Sequence, residues 1–378
     1  MLKIAILGHR TGNIGHLFMA EGVENIVKEV FKNKKYDIIR YEQHNPLSIY
    51  NNFLKHVSLS SGSRLTNSIK NILNQDNISK FIWKKYSEHL NKIYVAIASG
   101  GPNVIKNPNS SVDMKLIFHH MHGAFYYNKV PVFNLSNGSC FSLENIPNEL
   151  SENAKKFWKI ALKYCKVTTV RDKIAEKLLE SIGYRSSLIP CPGILSGLTF
   201  EKFKEKEKKY IIINYQEKGA NEDWGCNVDK YKWKKIIQET INRLLKNHKV
   251  ILLCHNDYEE NIAKKLNIAN VNIVYPKTLQ EYGKIILSAK VGLVSRIHAA
   301  IALAGIGVPS VVIGTDTRLE TVKLIGLRTI FVKDAKSDYL VSEVEDLINI
   351  VNTENVRLHD VREYARDSYV NLIENNLR

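Results

Sequence analysis

The feature that most limits the fold of this chain is a repeated unit of short apolar run, polar or glycine-rich loop, and helix-period segment. Residues 3–7 are apolar and end at Gly8, and apolar residues then recur at helical spacing over residues 17–31. The short run fits a buried strand, and the spacing that follows it fits an amphipathic helix. A strand, a loop and a helix in this order predict the opening of a doubly wound α/β domain.

The same unit recurs through the first half of the chain. Further strands are predicted at residues 94–98, 130–135 and 167–170, and the loops SGGP, SNGS and RD follow them. Open α/β sheets bind their ligands at the carboxyl ends of the strands, so these loops are expected to surround a site. Residues 49–83 are rich in Ser, Asn and Lys, and we expect helices or a mobile insertion there.

A charged segment without apolar periodicity, EKFKEKEKK at residues 201–209, is typical of a linker. A second α/β series follows it, and a chain of 378 residues exceeds the roughly 100 to 200 residues of a usual single domain. We therefore predict two Rossmann-like domains that face a central cleft, a common place for ligands. The predicted parts are an N-terminal, acceptor-side domain at residues 1–200, a C-terminal, donor-side domain at 209–345 and C-terminal helices at 346–378.

The net charge of the chain indicates which classes of partner it can attract. The 54 Lys and Arg residues exceed the 38 Asp and Glu residues, and a net charge of +16 favours anionic partners. The lysines are scattered among acids and form no single tract, so no specific nucleic-acid partner is expected. A basic nucleic-acid-binding module remains an alternative, and KYKWKK at residues 230–235 is its only indication.

Cysteine spacing and hydropathy indicate a cytoplasmic location. The five cysteines form no CxxC pair, which predicts neither a zinc ribbon nor a disulfide framework. The apolar run at the N-terminus is too short for a signal peptide, and no window reaches the roughly 18 apolar residues of a membrane span. Electrostatic association with a membrane surface, at the inner face, stays open.

The strongest candidates for chemistry are Ser295, Arg296 and His298 in the segment SRIH. They lie between a predicted buried strand and a helix of small residues, where free backbone N–H groups and the helix dipole favour an anion. Arg296 could hold a carboxylate or phosphate with two bonds, and His298 could transfer a proton near neutral pH. The structural alternative is that Arg296 pairs with a core carboxylate and His298 caps the helix.

Weaker candidates follow other predicted strands. Asp316 and Arg318 in TDTR are expected at the same edge of the cleft, where Arg318 could contact a second anionic group; an N-cap and a surface ion pair are the alternative. Two further pairs are of residue types found in metal sites and among nucleophiles, namely His119 with His122 and Ser139 with Cys140. Since no carboxylate pattern completes the first and no base is identifiable for the second, we expect neither.

Four segments together are similar to the polysaccharide pyruvyl transferase family. They are GNIG near the N-terminus, SGGP, TTVRD, and SRIHAAIALAGIGVPSVVI at residues 295–313, and the resemblance runs in order from Lys3 to Phe331. The resemblance implies a glycosyltransferase B fold and transfer of a pyruvyl group from phosphoenolpyruvate to sugar hydroxyls of a cell-surface glycan or its precursor, forming a pyruvate ketal. His16 stands where the family commonly has Asp in GNxGD.

The resemblance also implies roles for individual residues. Arg171, Arg296 and His298 match the family's donor-site arginines and histidine, and the matching loops add the binding candidates Asn13, Gly100 and Gly101. Two arginines would hold the carboxylate and phosphate of phosphoenolpyruvate, and His298 would protonate its methylene carbon. No metal or other cofactor is expected, because arginines and a helix N-terminus supply the positive charge.

The acceptor implied by the family is a sugar or a lipid-linked oligosaccharide. A nucleotide-sugar-dependent glycosyltransferase of the same fold is the alternative function, because the same helix N-terminus could hold a diphosphate. The residue His16 keeps this alternative open, since a carboxylate that could bind or activate a sugar hydroxyl is absent from that position.

Overall fold

The computed structural model describes residues 1–8, 14–42, 87–108, 112–203, 207–220 and 226–377. The candidate Asn13 and the predicted helices or insertion at residues 49–83 lie outside these residues. Within them the chain forms two β-sheets whose strands are all parallel, as the sequence predicts.

The N-terminal sheet has seven strands in the order β2-β1-β3-β5-β6-β7, with β4 paired to β5 beyond the end of β3. Its strands are β1 (Leu2–Gly8), β2 (Tyr36–Glu42), β3 (Val95–Ala98), β4 (Gly101–Val104), β5 (Val132–Ser139), β6 (Val167–Val170) and β7 (Ser187–Leu188). The strand order reverses between β1 and β3, and such a reversal opens a crevice at the carboxyl ends of the strands.

The C-terminal sheet has six strands in the order β10-β9-β8-β11-β12-β13, which is the strand order of a Rossmann sheet. Its strands are β8 (Tyr210–Asn214), β9 (Lys249–Leu253), β10 (Asn272–Val274), β11 (Ala289–Val294), β12 (Ser310–Gly314) and β13 (Arg328–Phe331). The order reverses between β8 and β11. The segment SRIH therefore follows the strand at which the crevice of this sheet opens.

Helices connect the parallel strands, and polar side chains cap several of their N-termini. They are α1 (Ile14–Val30), α2 (Val112–Lys115), α3 (His122–Tyr127), α4 (Glu152–Lys163), α5 (Lys173–Glu180), α6 (Gly197–Phe200), α7 (Lys230–Leu244), α8 (Asp257–Lys264), α9 (Leu279–Leu287), α10 (Ile297–Gly305), α11 (Leu319–Lys323), α12 (Ser337–Asn349) and α13 (Val351–Leu377). Asp172, Asn256 and Thr278 accept backbone hydrogen bonds at the starts of α5, α8 and α9.

The C-terminal helix α13 returns to the N-terminal sheet unit. Tyr369 on α13 is fully buried, and its hydroxyl donates to the backbone oxygen of Pro190 at 3.0 Å. Arg362 donates to Gly305 O at 2.8 Å at the end of α10 and to Glu201 Oε1 at 2.6 Å. The predicted boundary between residues 345 and 346 falls inside α12, because the apolar side of that helix packs on the C-terminal sheet to its end.

One apolar cluster extends across both sheet units. It includes Phe18 of α1, Ile194 of the turn before α6, Ile301 of α10 and Leu358 of α13. Burial of this apolar surface stabilises the arrangement of the two units, since each buried methylene contributes about 0.8 kcal/mol. The cluster brings the starts of α1 and α10 together, and these two helix ends form opposite walls of the cleft.

Candidate active site

A cavity of about 360 Å³ lies between the carboxyl ends of the two sheets. Its described walls come from loops that follow β1, β3, β5, β6, β8, β11 and β12, which is where parallel sheets place ligand-binding groups. The lining residues are His16, Pro102, Ile105, Cys140, Arg171, Ala220, Ser295, Arg296, Ile297, His298, Gly314, Asp316, Arg318 and Leu319. Six of the candidates predicted from sequence thus meet in one cavity: Arg171, Ser295, Arg296, His298, Asp316 and Arg318.

Arg171 enters the cavity from the end of β6. Its side chain is buried, its Nη1 donates to the Cys191 thiol at 3.8 Å, and its Nε has no hydrogen-bond partner among the described residues. Among the residues that the structure describes, no carboxylate forms an ion pair with it. The neighbouring Asp172 is occupied as the cap of α5, since it accepts from Ala175 N and Ser139 N at 2.8 and 2.7 Å.

A buried guanidinium without a hydrogen-bonded anion is energetically costly, because burial removes the solvation of the charge. Asp172 is near enough to attract the charge of Arg171, but backbone donors occupy its oxygens, so the guanidinium keeps hydrogen-bond donors that an anion in the cavity could use. The Arg171 side chain packs directly against Gly138. A side chain at position 138 would displace it, since a Cβ there would lie 2.5 Å from Arg171 Nε.

Ser295 is placed where the sequence predicts, between β11 and α10. Its backbone N–H donates to Asn214 O at 3.2 Å, but its buried Oγ has no hydrogen-bond partner in the described part of the chain. The first backbone N–H groups of α10 lack acceptors within the helix, as at every helix N-terminus. Ser295 Oγ and this helix end therefore offer donors to an anion that also reaches Arg171.

Arg296 has a carboxylate partner in the core, which is the structural alternative considered for it. Its Nε donates to Glu259 Oε1 at 2.6 Å, and its Nη2 also contacts that oxygen. Glu259 is fully buried and accepts in addition from Asn214 Nδ2 and His255 N, both at 2.9 Å. Arg296 still lines the cavity, but its guanidinium is fixed by α8.

Asp316 and Arg318 pair with one another at the mouth of the loop after β12. Arg318 Nε and Nη2 donate to the two oxygens of Asp316 at 2.8 and 2.6 Å. The pair was considered as a surface alternative, but Asp316 is buried and Ser142 forms a β-bridge with it. The pair lies in the cavity wall because the loop after β5 covers it.

His298 lies next to His16 in the cavity wall, with ring centroids 5.9 Å apart and planes at 77°. Burial lowers the pKa of His298 well below its usual value, and the nearby His16, Arg171, Arg318 and Arg296 lower it further. The ring is therefore neutral at pH 7 in the absence of a ligand. A bound anion would offset the positive charges and raise the pKa of His298 again.

Gly100 and Gly101 are candidates from the sequence, but the residues of this segment that line the cavity are Pro102 and Ile105. Gly100 has φ +66°, and a Cβ there would lie 1.8 Å from Leu135 O. The backbone of β5 therefore occupies the space beside Gly100, and the absence of a side chain lets the two chain segments approach closely. Gly101 is the first residue of β4. A substrate contact of these two glycines stays a prediction.

Ser139 and Cys140, the two candidate nucleophiles, have structural roles. Ser139 Oγ donates to Thr317 Oγ1 at 2.8 Å and so links the loops after β5 and β12. Burial raises the pKa of the Cys140 thiol to about 12. Cys140 lines the cavity as a neutral thiol, which is a poor nucleophile.

His119 and His122 lie at a short π-helical segment, Leu116–Met121, and its junction with α3. His119 stacks on Phe157 with centroids 4.7 Å apart, whereas the His122 ring packs against Phe118. Burial lowers the pKa of His122 to about 3. The described ranges contain no group of three or more His, Cys, Asp or Glu side chains placed to hold a metal ion.

The segment KYKWKK lacks one of the aromatic faces that a nucleic-acid site would use. Trp233 is buried in the C-terminal unit, and its indole N–H donates to Gln216 O at 2.8 Å. Tyr231 of the same segment is exposed. The aromatic and basic residues therefore do not form one continuous binding face on α7.

The structure is similar to solved enzymes of one fold. It aligns with UDP-GlcNAc 2-epimerase from Neisseria meningitidis bound to UDP-GlcNAc at a TM-score of 0.59 and 12% identity, over 100% of this chain and 99% of that one. The S. aureus MnaA–UDP structure gives 0.56 and 14%, over 100% and 97%. MurG from Acinetobacter baumannii gives 0.50 and 12%, over 99% and 100%. At these identities the likeness shows the fold alone.

The two parallel sheets with a cavity between them define a protein of the glycosyltransferase B fold. A model of the polysaccharide pyruvyl transferase family matches residues 13–317, so the chain belongs to that family. A comparison with curated proteins finds no match. In the described part of the chain, no helix is long and apolar enough to span a membrane.

Proposed function

We propose that the protein transfers a pyruvyl group from phosphoenolpyruvate to two hydroxyls of a sugar in a cell-surface glycan or its precursor, forming a pyruvate ketal. The observation that carries this proposal is the buried guanidinium of Arg171, which faces the cavity without a carboxylate partner in the described residues. Family membership supports the reaction class, and the cavity supports an anionic donor.

The donor fits the groups of the cavity. Phosphoenolpyruvate carries a phosphate and a carboxylate on one carbon, so two anionic groups can be held at fixed separation. In our proposal Arg171 and the start of α10 with Ser295 hold one group, and Arg296 and Arg318 face the other. Because both of these arginines are anchored by carboxylates, they are held in place before the donor binds.

His298 is the proposed acid for the first chemical step. The anion raises the pKa of His298 by offsetting the cations around it, so the ring gains a proton as the donor binds. Transfer of this proton to the methylene carbon of the donor leaves positive charge on the adjacent carbon, which the sugar hydroxyl attacks. A positioned acid of this kind accelerates such a step by roughly 10² to 10⁴.

The proposed reaction needs no metal or other cofactor from this chain. The arginines and the N-terminus of α10 supply positive charge to the donor oxygens. We expect turnover to be unchanged by a chelator such as EDTA. Loss of turnover that added Mg²⁺ or Mn²⁺ restores would contradict this part of the proposal.

The proposed acceptor is a sugar or a lipid-linked oligosaccharide, and the proposed place of action is the cytoplasm at the inner membrane face. The net charge of +16 supports this, because a basic protein is attracted to anionic lipid surfaces. Sedimentation with phosphatidylglycerol vesicles tests it: binding at low salt is expected, and absence of binding to anionic vesicles would contradict a membrane location.

The alternative is a glycosyltransferase that uses a nucleotide sugar. The N-terminus of α10 could hold a diphosphate there as well. The cavity volume of about 360 Å³ favours the smaller donor, since ligand pockets extend from roughly 300 to 1,000 Å³. UDP, GDP or CMP would have to stabilise the protein in preference to phosphoenolpyruvate for this alternative to hold.

The test is a thermal-shift panel followed by an assay of phosphate release. We expect phosphoenolpyruvate to raise the unfolding midpoint and the nucleotides and nucleotide sugars to have little effect. With a panel of aryl hexosides as acceptors, phosphate release should require both donor and acceptor. No shift with saturating phosphoenolpyruvate and no turnover across the panel would contradict the proposal.

A further inference from the structure

His16 lies in the wall of the cavity, next to His298. It lies in the first turn of α1, while His298 lies in the first turn of α10. The close approach depends on Gly15, because a Cβ at that position would lie 2.7 Å from His298 Nδ1. Two imidazoles from the two sheet units thus lie side by side in the wall of one cavity that Arg171, Arg296 and Arg318 also line.

We propose that His16 is a second catalytic residue, the base that takes the proton from the acceptor hydroxyl. This inference rests on the proposed function. It begins from the need of that reaction for a base, because a sugar hydroxyl must lose its proton as its oxygen bonds to the donor carbon. The described wall of the cavity holds few groups that can accept a proton, and they can be taken in turn.

The other candidates are engaged elsewhere. Asp316 binds Arg318 through both oxygens, and the thiol of Cys140, whose pKa is about 12, is a poor proton acceptor as a neutral group. His298 is the acid of the first step in the proposed reaction. The remaining titratable groups of the described wall are arginines, which stay protonated. His16, which lines the cavity next to His298, is therefore placed to act as the base.

The two histidines balance the protons of the first step. His298 gives its proton to the methylene carbon, the electrons of the carbon–carbon double bond form the new C–H bond, and the acceptor oxygen bonds to the adjacent carbon. The hydroxyl proton passes to His16. One ring of the pair is charged before the step and the other after it.

The second step restores the pair. The bond between that carbon and the phosphate oxygen breaks, and His16 gives its proton to the leaving phosphate. The second sugar hydroxyl then bonds to the same carbon and its proton passes to His298. Only one ring is charged in each state, as expected for two imidazoles with centroids 5.9 Å apart, since two like charges at that distance repel.

The test compares His16→Asn, which removes the base, with His16→Asp, which replaces it by a carboxylate. We expect His16→Asn to keep its thermal shift with phosphoenolpyruvate and to release phosphate about 100-fold more slowly with a hexoside acceptor. His16→Asp should recover at least a tenth of the wild-type rate. A carboxylate stays deprotonated to lower pH than an imidazole. In a plot of kcat against pH, the fall on the acidic side should therefore occur at lower pH for His16→Asp than for the wild type.

His248→Asn is the matched control, since His248 precedes β9 at the opposite edge of the C-terminal sheet and pairs with Glu345. It should turn over like the wild type. Wild-type turnover in His16→Asn, or an acidic limb in His16→Asp that coincides with the wild type, would overturn the role of His16 and leave the proposed function intact. A wild-type protein that neither binds phosphoenolpyruvate nor releases phosphate would overturn the proposed function itself.

Discussion

At the scale of single residues, the three arginines of the cavity differ in how their charges are compensated. Arg296 is bound to Glu259, and Arg318 is bound to Asp316. Arg171 has only a thiol acceptor within the described residues, although it is buried. We therefore predict different tasks for the three arginines of the described wall, with Arg171 gaining most from an anion that binds in the cavity.

Replacing Arg171 by Met should remove the thermal shift with phosphoenolpyruvate without lowering the stability of the ligand-free protein. The buried charge without a partner is lost, and an apolar side chain of similar length fills its place. At 100 times its Kd, a ligand stabilises the wild type by about 2.7 kcal/mol, so the loss is measurable by differential scanning fluorimetry. Arg366→Met, at a surface arginine paired with Glu363 and Asp367, should keep the full shift. A normal shift in Arg171→Met would refute this role.

His298 should take up a proton when the donor binds near neutral pH. In the ligand-free protein its pKa is well below the usual value because of burial, with His16 and the arginines adding to the effect. A bound anion raises that pKa, so the affinity for phosphoenolpyruvate should increase as the pH falls toward the usual range of histidine.

Calorimetric titration in buffers of different ionisation enthalpy measures this uptake as a slope of binding enthalpy. The slope should be lower in His298→Gln, which has no ring to titrate. A wild-type slope of zero, or an unchanged slope in His298→Gln, would show that His298 does not change protonation on binding.

At the scale of elements, α8 anchors the site through a residue that the sequence analysis does not single out. Glu259 in its first turn is fully buried and binds Arg296, Asn214 and the backbone of His255. Burial by itself raises the pKa of Glu259, but the neighbouring His255 and Arg296 more than offset this and hold it below the usual value. A carboxylate 37 positions from Arg296 therefore sets the orientation of its guanidinium.

Glu259→Gln should lower the free energy of unfolding by about 3 kcal/mol, because it leaves Arg296 buried without a counter-charge. Glu260→Gln is the control on the same helix, and its surface pair with Lys264 is worth less than about 1 kcal/mol. Urea denaturation measures both. Since the pKa of Glu259 is depressed, the stability it contributes is present above its unfolded pKa and is lost as the pH falls through the folded one. Equal losses in the two variants at pH 7 would contradict the anchoring role.

At the scale of the whole molecule, the two sheet units share an apolar cluster and approach closely at backbone level. Gly197 in α6 and Gly305 at the end of α10 meet there, and a Cβ on Gly197 would lie 1.8 Å from Gly305 O. Contact at the end of α10 also fixes its start, where Ser295 and His298 line the cavity. Packing between the units and the geometry of the site are therefore connected through one helix.

Gly197→Ala should cost about 3 kcal/mol of stability and weaken binding of phosphoenolpyruvate, because the backbone of α10 has to move. Gly183→Ala is a control in open space. Its φ of +81° costs about 1 kcal/mol for a residue with a Cβ, but donor affinity should stay the same. Urea denaturation and titration with phosphoenolpyruvate give the two quantities. Unchanged donor affinity in Gly197→Ala would show that packing between the two sheet units does not affect donor binding.

The sequence by itself determined the succession of strands and helices, because apolar periodicity reports which side of each segment is buried. Strand β6 and the segment SRIH lie where the pattern predicts them. The local sequence pattern did not predict the end of β5, because hydrogen bonding to neighbouring strands determines where that strand ends. Strand β5 continues to Ser139 through Asn and Gly, residues that disfavour strands, because β4 and β6 supply hydrogen-bonded neighbours on both sides.

Only the tertiary structure decided which charges of the site are compensated. Arg171 and Arg318 each have a carboxylate within two positions in the sequence, whereas the carboxylate nearest to Arg296 along the chain is Glu281. Tertiary packing determines which carboxylate each arginine contacts. Arg296 binds Glu259 of a helix distant in sequence, and Arg318 binds Asp316 two positions before it. The carboxylate next to Arg171, that of Asp172, caps a helix. Ion pairs depend on separations of a few ångströms in space, and periodicity along the chain carries no information about those.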